Sequence, residues 1–185
     1  MAEEKKEKWM NYFAMSTVIF AVCATLSTFK GGGFGSRALL NQSNAANQWS
    51  YYQSKSIKSY IFENQKDNLE LQKDIISKST NGKEEIAKYQ AKIDVYNKKL
   101  KQYDEEKAEI MKKAQAFEAE RDNCQKHASA FGIAVIFLQI TILLASIAAL
   151  IKKRMIWYLS LAIGAVGILY FFDGFRLFFL TVTTF

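Results

Sequence analysis

KEEIAKYQAKIDVYNKKLKQYDEEKAEIMKKAQAFEAERDNCQKHASAF, residues 83–131, decides the fold. Alternating steps of three and four from Ile86 pick out Tyr89, Ile93, Tyr96, Leu100, Tyr103, Lys107, Ile110, Ala114, Phe117, Arg121, Cys124, Ala128 and Phe131. Only Lys107 and Arg121 interrupt this apolar and aromatic run, and the positions between are mostly Lys, Glu, Asp and Gln. That is the pattern of a helix with one seam sustained over several heptads. The beat carries on through Val135, Leu138, Ile142, Ala145 and Ala149, inside residues 128–151, a run apolar and long enough to cross a bilayer. The spacing therefore predicts one continuous helix that leaves a membrane as a coiled-coil arm.

Composition agrees with an all-α chain. Half of the 185 residues are hydrophobic, but they are blocked at the two ends; Pro is absent and Gly numbers only nine. Little interrupts long helices, and no β-sandwich rhythm of turns is present. The net charge of +7 does not point to nucleic acid, because the Lys residues alternate with Glu and Asp instead of forming a basic stripe. No nucleic-acid partner is expected. Cys23 lies in an apolar run and Cys124 at a seam position, which suits small buried hydrophobes better than a disulfide pair.

Upstream of the seam, Ser79, Thr80, Asn81 and Gly82 carry the one turn signal of the central region. Before them, Ile57, Ile61, Phe62, Leu69, Leu71, Ile75 and Ile76 cover an arc of about 200°, wider than a two-helix seam requires. This arm is expected to touch more than one neighbour. Ser36 is placed to cap it, after a flexible or sharply turning connection at Gly31, Gly32, Gly33 and Gly35. The arms Ser36–Lys78 and Lys83–His127 are each about 65 Å long at helical rise, so an antiparallel hairpin returns the chain to the surface it left. Residues 30–127 are thus expected as an extracytoplasmic hairpin with its turn at 79–82.

Residues 9–29 form a first transmembrane helix behind a charged cytoplasmic tail, 1–8, and are taken as a retained anchor rather than a signal peptide cleaved near Ala24. Asn11, Ala14, Thr17, Ala21, Ala24 and Thr28 make a small-residue face expected to pack against protein. Residues 128–151 form the second span, with Gln139, Thr141 and Ser146 inside it; a lone amide such as Gln139 either bonds a neighbouring helix or lines a pore. A basic turn, 152–155, leads to a third span, 156–173, whose small face is Ser160, Gly164, Gly167 and Gly174. Asp173 and Arg176 are spaced to pair. Residues 174–185 are either a helix extension or an interfacial tail. Lys5, Lys6 and Lys8, with Lys152, Lys153 and Arg154, place the N-terminus in the cytoplasm and the hairpin outside by the positive-inside rule.

Catalytic chemistry is not expected. His127 is the only histidine and sits where the coil meets the span, as a boundary residue. The glycines at 31–35 follow no strand and precede no Lys-Ser or Lys-Thr, so they make no nucleotide loop. Asp104, Glu105, Glu106 and Glu109 fall on solvated faces and make a poor metal cage. Neither an enzyme nor a cofactor is implied.

Between Asn41 and Lys58 the side chains are amides, aromatics and lysines, with Trp49, Tyr51, Tyr52, Gln53, Lys55 and Lys58 forming a collar suited to a membrane boundary or an inter-subunit contact. The stretch RALLNQSNAANQWSYYQSKSIK, residues 37–58, resembles the signature of the bacterial family called domain of unknown function 4337. Members are similar in having an N-terminal anchor, a Trp-x-Tyr-Tyr-Gln-x-Lys-Ser-Ile-Lys segment, a coiled coil and C-terminal spans. The resemblance covers the layout of nearly the whole chain, although only that segment is specific. It implies an inner-membrane protein with a periplasmic hairpin; the family has no established activity to carry over, so the six collar residues transfer as motif positions without roles.

The expected function is structural: a self-assembling membrane scaffold, a homo-oligomer in contact with membrane lipids. An oligomeric channel or transport component is the alternative, with Gln139, Asn11, Thr17 and Thr28 around an axis and Lys107 and Arg121 as charged rings. A third is an adaptor subunit docking an envelope protein through the collar.

Overall fold

The computed structural model describes residues 2–78 and 83–176, with side chains from residue 11 onward. Three helices account for them: α1 (Ala2–Ser77), α2 (Lys83–Ile151) and α3 (Arg154–Arg176), with no strand among the described residues. The turn expected at Ser79, Thr80, Asn81 and Gly82 lies outside the described residues, as do 177–185. Each helix is long and apolar enough, over part of its length, to cross a membrane. The chain divides into two compact units, a terminal unit of Met1–Leu40 with Glu120–Phe185 and a central unit of Asn41–Ala119.

The unbroken continuation of the seam helix past residue 127 is observed: α2 has 69 residues. The corresponding break expected in α1 is not there. Gly31, Gly32, Gly33, Gly35 and Ser36 all lie inside a helix of 76 residues, none of these glycines has positive φ, and Ser36 caps nothing. A helix-interior glycine costs about 1 kcal/mol relative to alanine, which weakens a helix but does not end one whose flanking turns are packed. Phe34, between Gly33 and Gly35, and Ala38, beyond them, are half-buried and supply that packing. Gly31 also allows close approach: a Cβ there would lie 3.1 Å from the Phe131 Cβ.

Once α1 is continuous, a second heptad beat emerges in it. Phe13, Thr17, Phe20, Ala24, Ser27, Gly31, Phe34, Ala38, Asn41, Ala45, Gln48, Tyr52, Lys55, Ser59, Phe62, Lys66, Leu69, Lys73 and Ile76 alternate by four and three, and none is exposed. Hydrophobicity does not mark this track, because Ser, Gly, Asn, Gln and Lys hold many of its places. The small-residue face expected on residues 11–28 is correspondingly displaced. Thr17 and Ala24 lie on the packed track, whereas Asn11, Ala14, Ala21 and Thr28 are exposed on this chain. In α2 every seam position from Ile86 to Ala149 is buried or half-buried, as its spacing predicts.

In the terminal unit the large side chains enter gaps left by glycine. A Cβ at Gly164 would come within 2.5 Å of the Phe20 ring, one at Gly167 within 2.9 Å of Leu138, and one at Gly174 within 2.7 Å of Phe131. Ser160, Gly164, Gly167 and Gly174 are all buried, so the third small-residue face packs as expected. The hydroxyls on these buried faces bond within their own helices: Ser27 donates to Cys23 O at 2.8 Å, Thr141 to Phe137 O at 2.8 Å and Ser160 to Trp157 O at 2.7 Å. They therefore bring no unpaired donor into the contact.

The link from α2 to α3 is shorter than expected, because α3 begins at Arg154 rather than Ile156. Lys152 adopts a left-handed conformation, φ 55°, at the place where helices commonly end on glycine. Its side chain is exposed, as are those of Lys153 and Arg154.

Candidate functional site

The collar motif falls in the central unit, where the helical period splits it into two faces. Trp49, Tyr52 and Lys55 turn inward, while Tyr51, Gln53 and Lys58 are exposed. The Trp49 indole donates to Glu118 Oε1 at 2.9 Å, and the Tyr52 ring meets the Trp49 ring edge-on at 5.7 Å. The Lys55 ammonium donates to Glu106 and lies 5.5 Å from the Tyr51 ring centre and 5.4 Å from that of Tyr103. This is a charge-assisted clamp with an aromatic wall on each side. The Lys55 hydrogen bond, followed by that of Gln102, holds the Glu106 carboxyl below its ordinary range; the same bond, against some desolvation, holds Lys55 above its own. Trp49, Tyr52 and Lys55 are thus occupied within the chain, Tyr51 is half exposed beside Lys55, and Gln53 and Lys58 are presented outward.

Phe62 anchors the next layer of the unit. Its ring lies 5.6 Å from Tyr96 edge-on and 5.7 Å from Tyr103 in a stack, with the Lys99 ammonium 4.7 Å above it. Further along, Lys73 donates to Gln90 Oε1 at 2.8 Å. Lys107, one interruption of the seam, bonds Asp104 at 2.8 Å, which raises its pKa. Arg121, the other, bonds Asp122 at 2.7 Å in the terminal unit. Both cations expected as charged rings therefore have carboxylate partners close by. Beside Lys107 the seam opens into a polar cavity of about 480 Å³, lined by Tyr52, Ser56, Ser59, Tyr60, Glu63, Leu100, Asp104 and Lys107. The remaining seam residues, Ile86, Tyr89, Ile93, Ile110 and Phe117, are buried or half-buried.

In the terminal unit His127 joins three helices. Its ring stacks on Phe34 at 4.5 Å and 15°, and Nδ1 lies 2.8 Å from the carbonyl oxygen of Gly174. A carbonyl only accepts, so Nδ1 carries the proton in that bond. Phe34 is 6.1 Å from Phe131, whose ring is fully buried and meets Phe175 edge-on at 5.1 Å. The boundary residue is in effect the fastening of the unit. Spacing alone had no way to reveal this, since the partner atoms are a ring on α1 and a backbone oxygen on α3.

Of the polar residues expected within the spans, Gln139 is exposed and Asp173 is buried at 2% exposure, with Arg176 exposed. The buried polar residue near Gln139 is Thr141. Cys23 and Cys124 are free thiols, Cys124 buried; desolvation, then the Glu120 carboxylate, pushes its pKa up, which keeps it protonated and unreactive. Among the described residues no three metal-binding side chains come together.

The residues so placed define an all-helical protein with three helices able to span a membrane and a clamped, aromatic-rich central unit. A family model, Domain of unknown function (DUF4337), matches residues 9–177, and the chain belongs to that family. No curated protein and no solved structure matches it.

Proposed function

We propose that the protein is a membrane-anchored scaffold that assembles from copies of itself through an antiparallel helical hairpin. Contact order supports the hairpin: Trp49 meets Glu118, Lys55 meets Glu106, Phe62 meets Tyr103 and Lys73 meets Gln90, so partner numbers fall as position rises. An apolar outer surface supports the membrane reading. Only 17% of the most apolar stretch of α1 and 28% of that of α2 is buried by the chain itself. Tyr12, Met15, Ile19, Leu26 and Phe29 point outward along the first of these. On this reading three crossings leave the hairpin outside the cytoplasm, and the membrane is a bacterial inner membrane.

The observation that carries self-assembly is the back of α1 in the central unit. Ile57, Ile61, Leu71 and Ile75 are 51–61% exposed and fall at three-four spacing, with Asn64 and Asn68 between them. This stripe lies on the face opposite the track that meets α2, and the hairpin leaves it uncovered. Exposed apolar stripes of this kind mark association surfaces in soluble segments. Gln139 adds a second contact within the bilayer, where an amide facing lipid is costly and one facing a neighbouring helix is not.

Light scattering in mild detergent tests the reading. Wild type is expected at a multiple of 21.1 kDa, and the paired variant Ile61→Lys with Leu71→Lys at one protomer with unchanged helicity. A wild-type mass of one protomer removes the proposal. The exposed amides Gln139 and Asn11 also support a channel reading, which predicts single-channel conductance from the assembled protein. Electrical silence of intact assemblies leaves the scaffold alone.

A further inference from the structure

The glycines that were expected to turn the chain do something else. Gly32 and Gly33 have helical φ, and a Cβ built on either meets nothing within 4 Å, so neither the backbone nor internal packing requires glycine there. Alanine would favour the helix more. What two bare residues do provide is backbone open to a group from outside. That backbone forms the floor of a cavity of about 550 Å³ on the outer surface of α1, with Phe29 at one end and Lys30 and Arg37 at its rim.

The charge on the rim indicates what the groove accepts. No Asp or Glu lines it, and neither Lys30 nor Arg37 forms an ion pair among the described residues. The two cations are seven residues apart, on one face and about 10 Å along the axis. Arg37 is held by the Phe34 ring, 6.0 Å away, and Ser36 supplies a hydroxyl beside it. Phe29, 77% exposed, closes the run of outward apolar residues that precedes Lys30. The groove thus has an apolar end at Phe29 and a bare floor at Gly32 and Gly33 bracketed by the two cations, which suits an acyl chain at the end and an anionic group over the floor. The interfacial layer on each side of a bilayer, about 5–8 Å deep, is comparable with the separation of the cations.

We propose that this groove binds an anionic phospholipid, its phosphodiester over the glycines between Lys30 and Arg37 and an acyl chain against Phe29. The site rests on the reading that residues 9–29 cross a bilayer. Two positive charges favour a headgroup with net negative charge over a zwitterionic one.

Native mass spectrometry of the full chain from mild detergent, titrated with phosphatidylglycerol or phosphatidylcholine, tests it. Wild type is expected to retain phosphatidylglycerol at least tenfold more tightly. Lys30→Gln with Arg37→Gln should abolish the preference, and Gly32→Leu with Gly33→Leu should abolish retention of the lipid by filling the groove. Both variants substitute outward positions and are expected to keep wild-type circular dichroism. Equal retention of the two lipids by wild type, or a preference that survives in both variants, overturns the site. So does displacement of the lipid by excess glycerol 3-phosphate, which would make a soluble phosphate ester the ligand. Alkaline carbonate extraction separates the two levels: protein that stays in the membrane without lipid preference sinks the site alone, whereas protein that is released sinks the span and the site together.

Discussion

The terminal and central units use the same heptad spacing and fill it with opposite chemistry. In the terminal unit, aromatic and aliphatic side chains enter gaps at Gly164, Gly167 and Gly174, and the buried hydroxyls are satisfied within their own helices. In the central unit the track on α1 carries Lys55, Lys66 and Lys73, and contacts run through charge, amide and ring. On the proposed reading, with the terminal unit in lipid and the central unit in water, the difference follows from the solvent. Lipid offers no hydrophobic gain for helix association, so close fit must supply it, whereas water makes apolar burial favourable and lets long lysines cover the seam with their stems. Steric change should therefore damage the first unit most, and loss of an aromatic the second.

The largest effect is expected at Gly164→Leu. The new side chain meets the buried Phe20 ring, and overpacking of this kind should lower stability by about 3 kcal/mol, read as a fall in melting temperature in detergent. Gly35→Ala, with nothing within 4 Å, should leave the melt unchanged or raise it. Equal losses at the two sites would erase the contrast between packed and open glycines.

Phe62→Ala probes the central unit. The half-buried ring sits among Tyr96, Tyr103 and Lys99, and its removal should cost about 2 kcal/mol in a thermal melt while leaving detergent extraction unaltered. A melt that does not move would transfer the stability of the unit to its ion pairs. A gain is expected at Lys152→Gly, which relieves a left-handed lysine and should stabilise by about 1 kcal/mol in the same assay.

The smallest effect is that of pH on the Lys55–Glu106 clamp. Glu106 is depressed, so its contribution is full above its ordinary value of 4.5 and is lost as pH falls through the lower folded value. Lys55 is raised, so its contribution is full below 10.5 and is lost as pH rises past that. Melting temperature should be flat between these limits and fall slightly outside them. Glu106→Gln should remove the acid-side fall, and an unaltered acid limb would assign it to other carboxylates.

How far the sequence reveals each helix depends on what occupies its inward positions. The α2 seam from Ile86 to Phe131 was legible because Tyr, Ile, Leu and Phe stand against a background of Lys and Glu. The α1 track was not, because its inward positions include Ser27, Gly31, Asn41, Gln48 and Lys55, and a hydrophobicity pattern assigns such residues to water. The same blindness produced the expected break at Gly31–Gly35. Glycine signals a turn only when neighbouring residues lack tertiary partners, and Phe34 has them in His127 and Phe131. Of the collar, the aromatic and lysine composition was visible, but which half faced inward was not.

Composition and spacing were enough to establish an all-helical chain, the α2 seam, three apolar stretches and the buried small face of α3, because each is a property of one helix and its period. Which residues of α1 face inward, the fastening of His127 between Phe34 and Gly174, and the clamp of Lys55 on Glu106 were decided by tertiary structure alone. Polar and small side chains have no fixed preference for interior or surface until another helix supplies the acceptor, the ring or the gap that they fit.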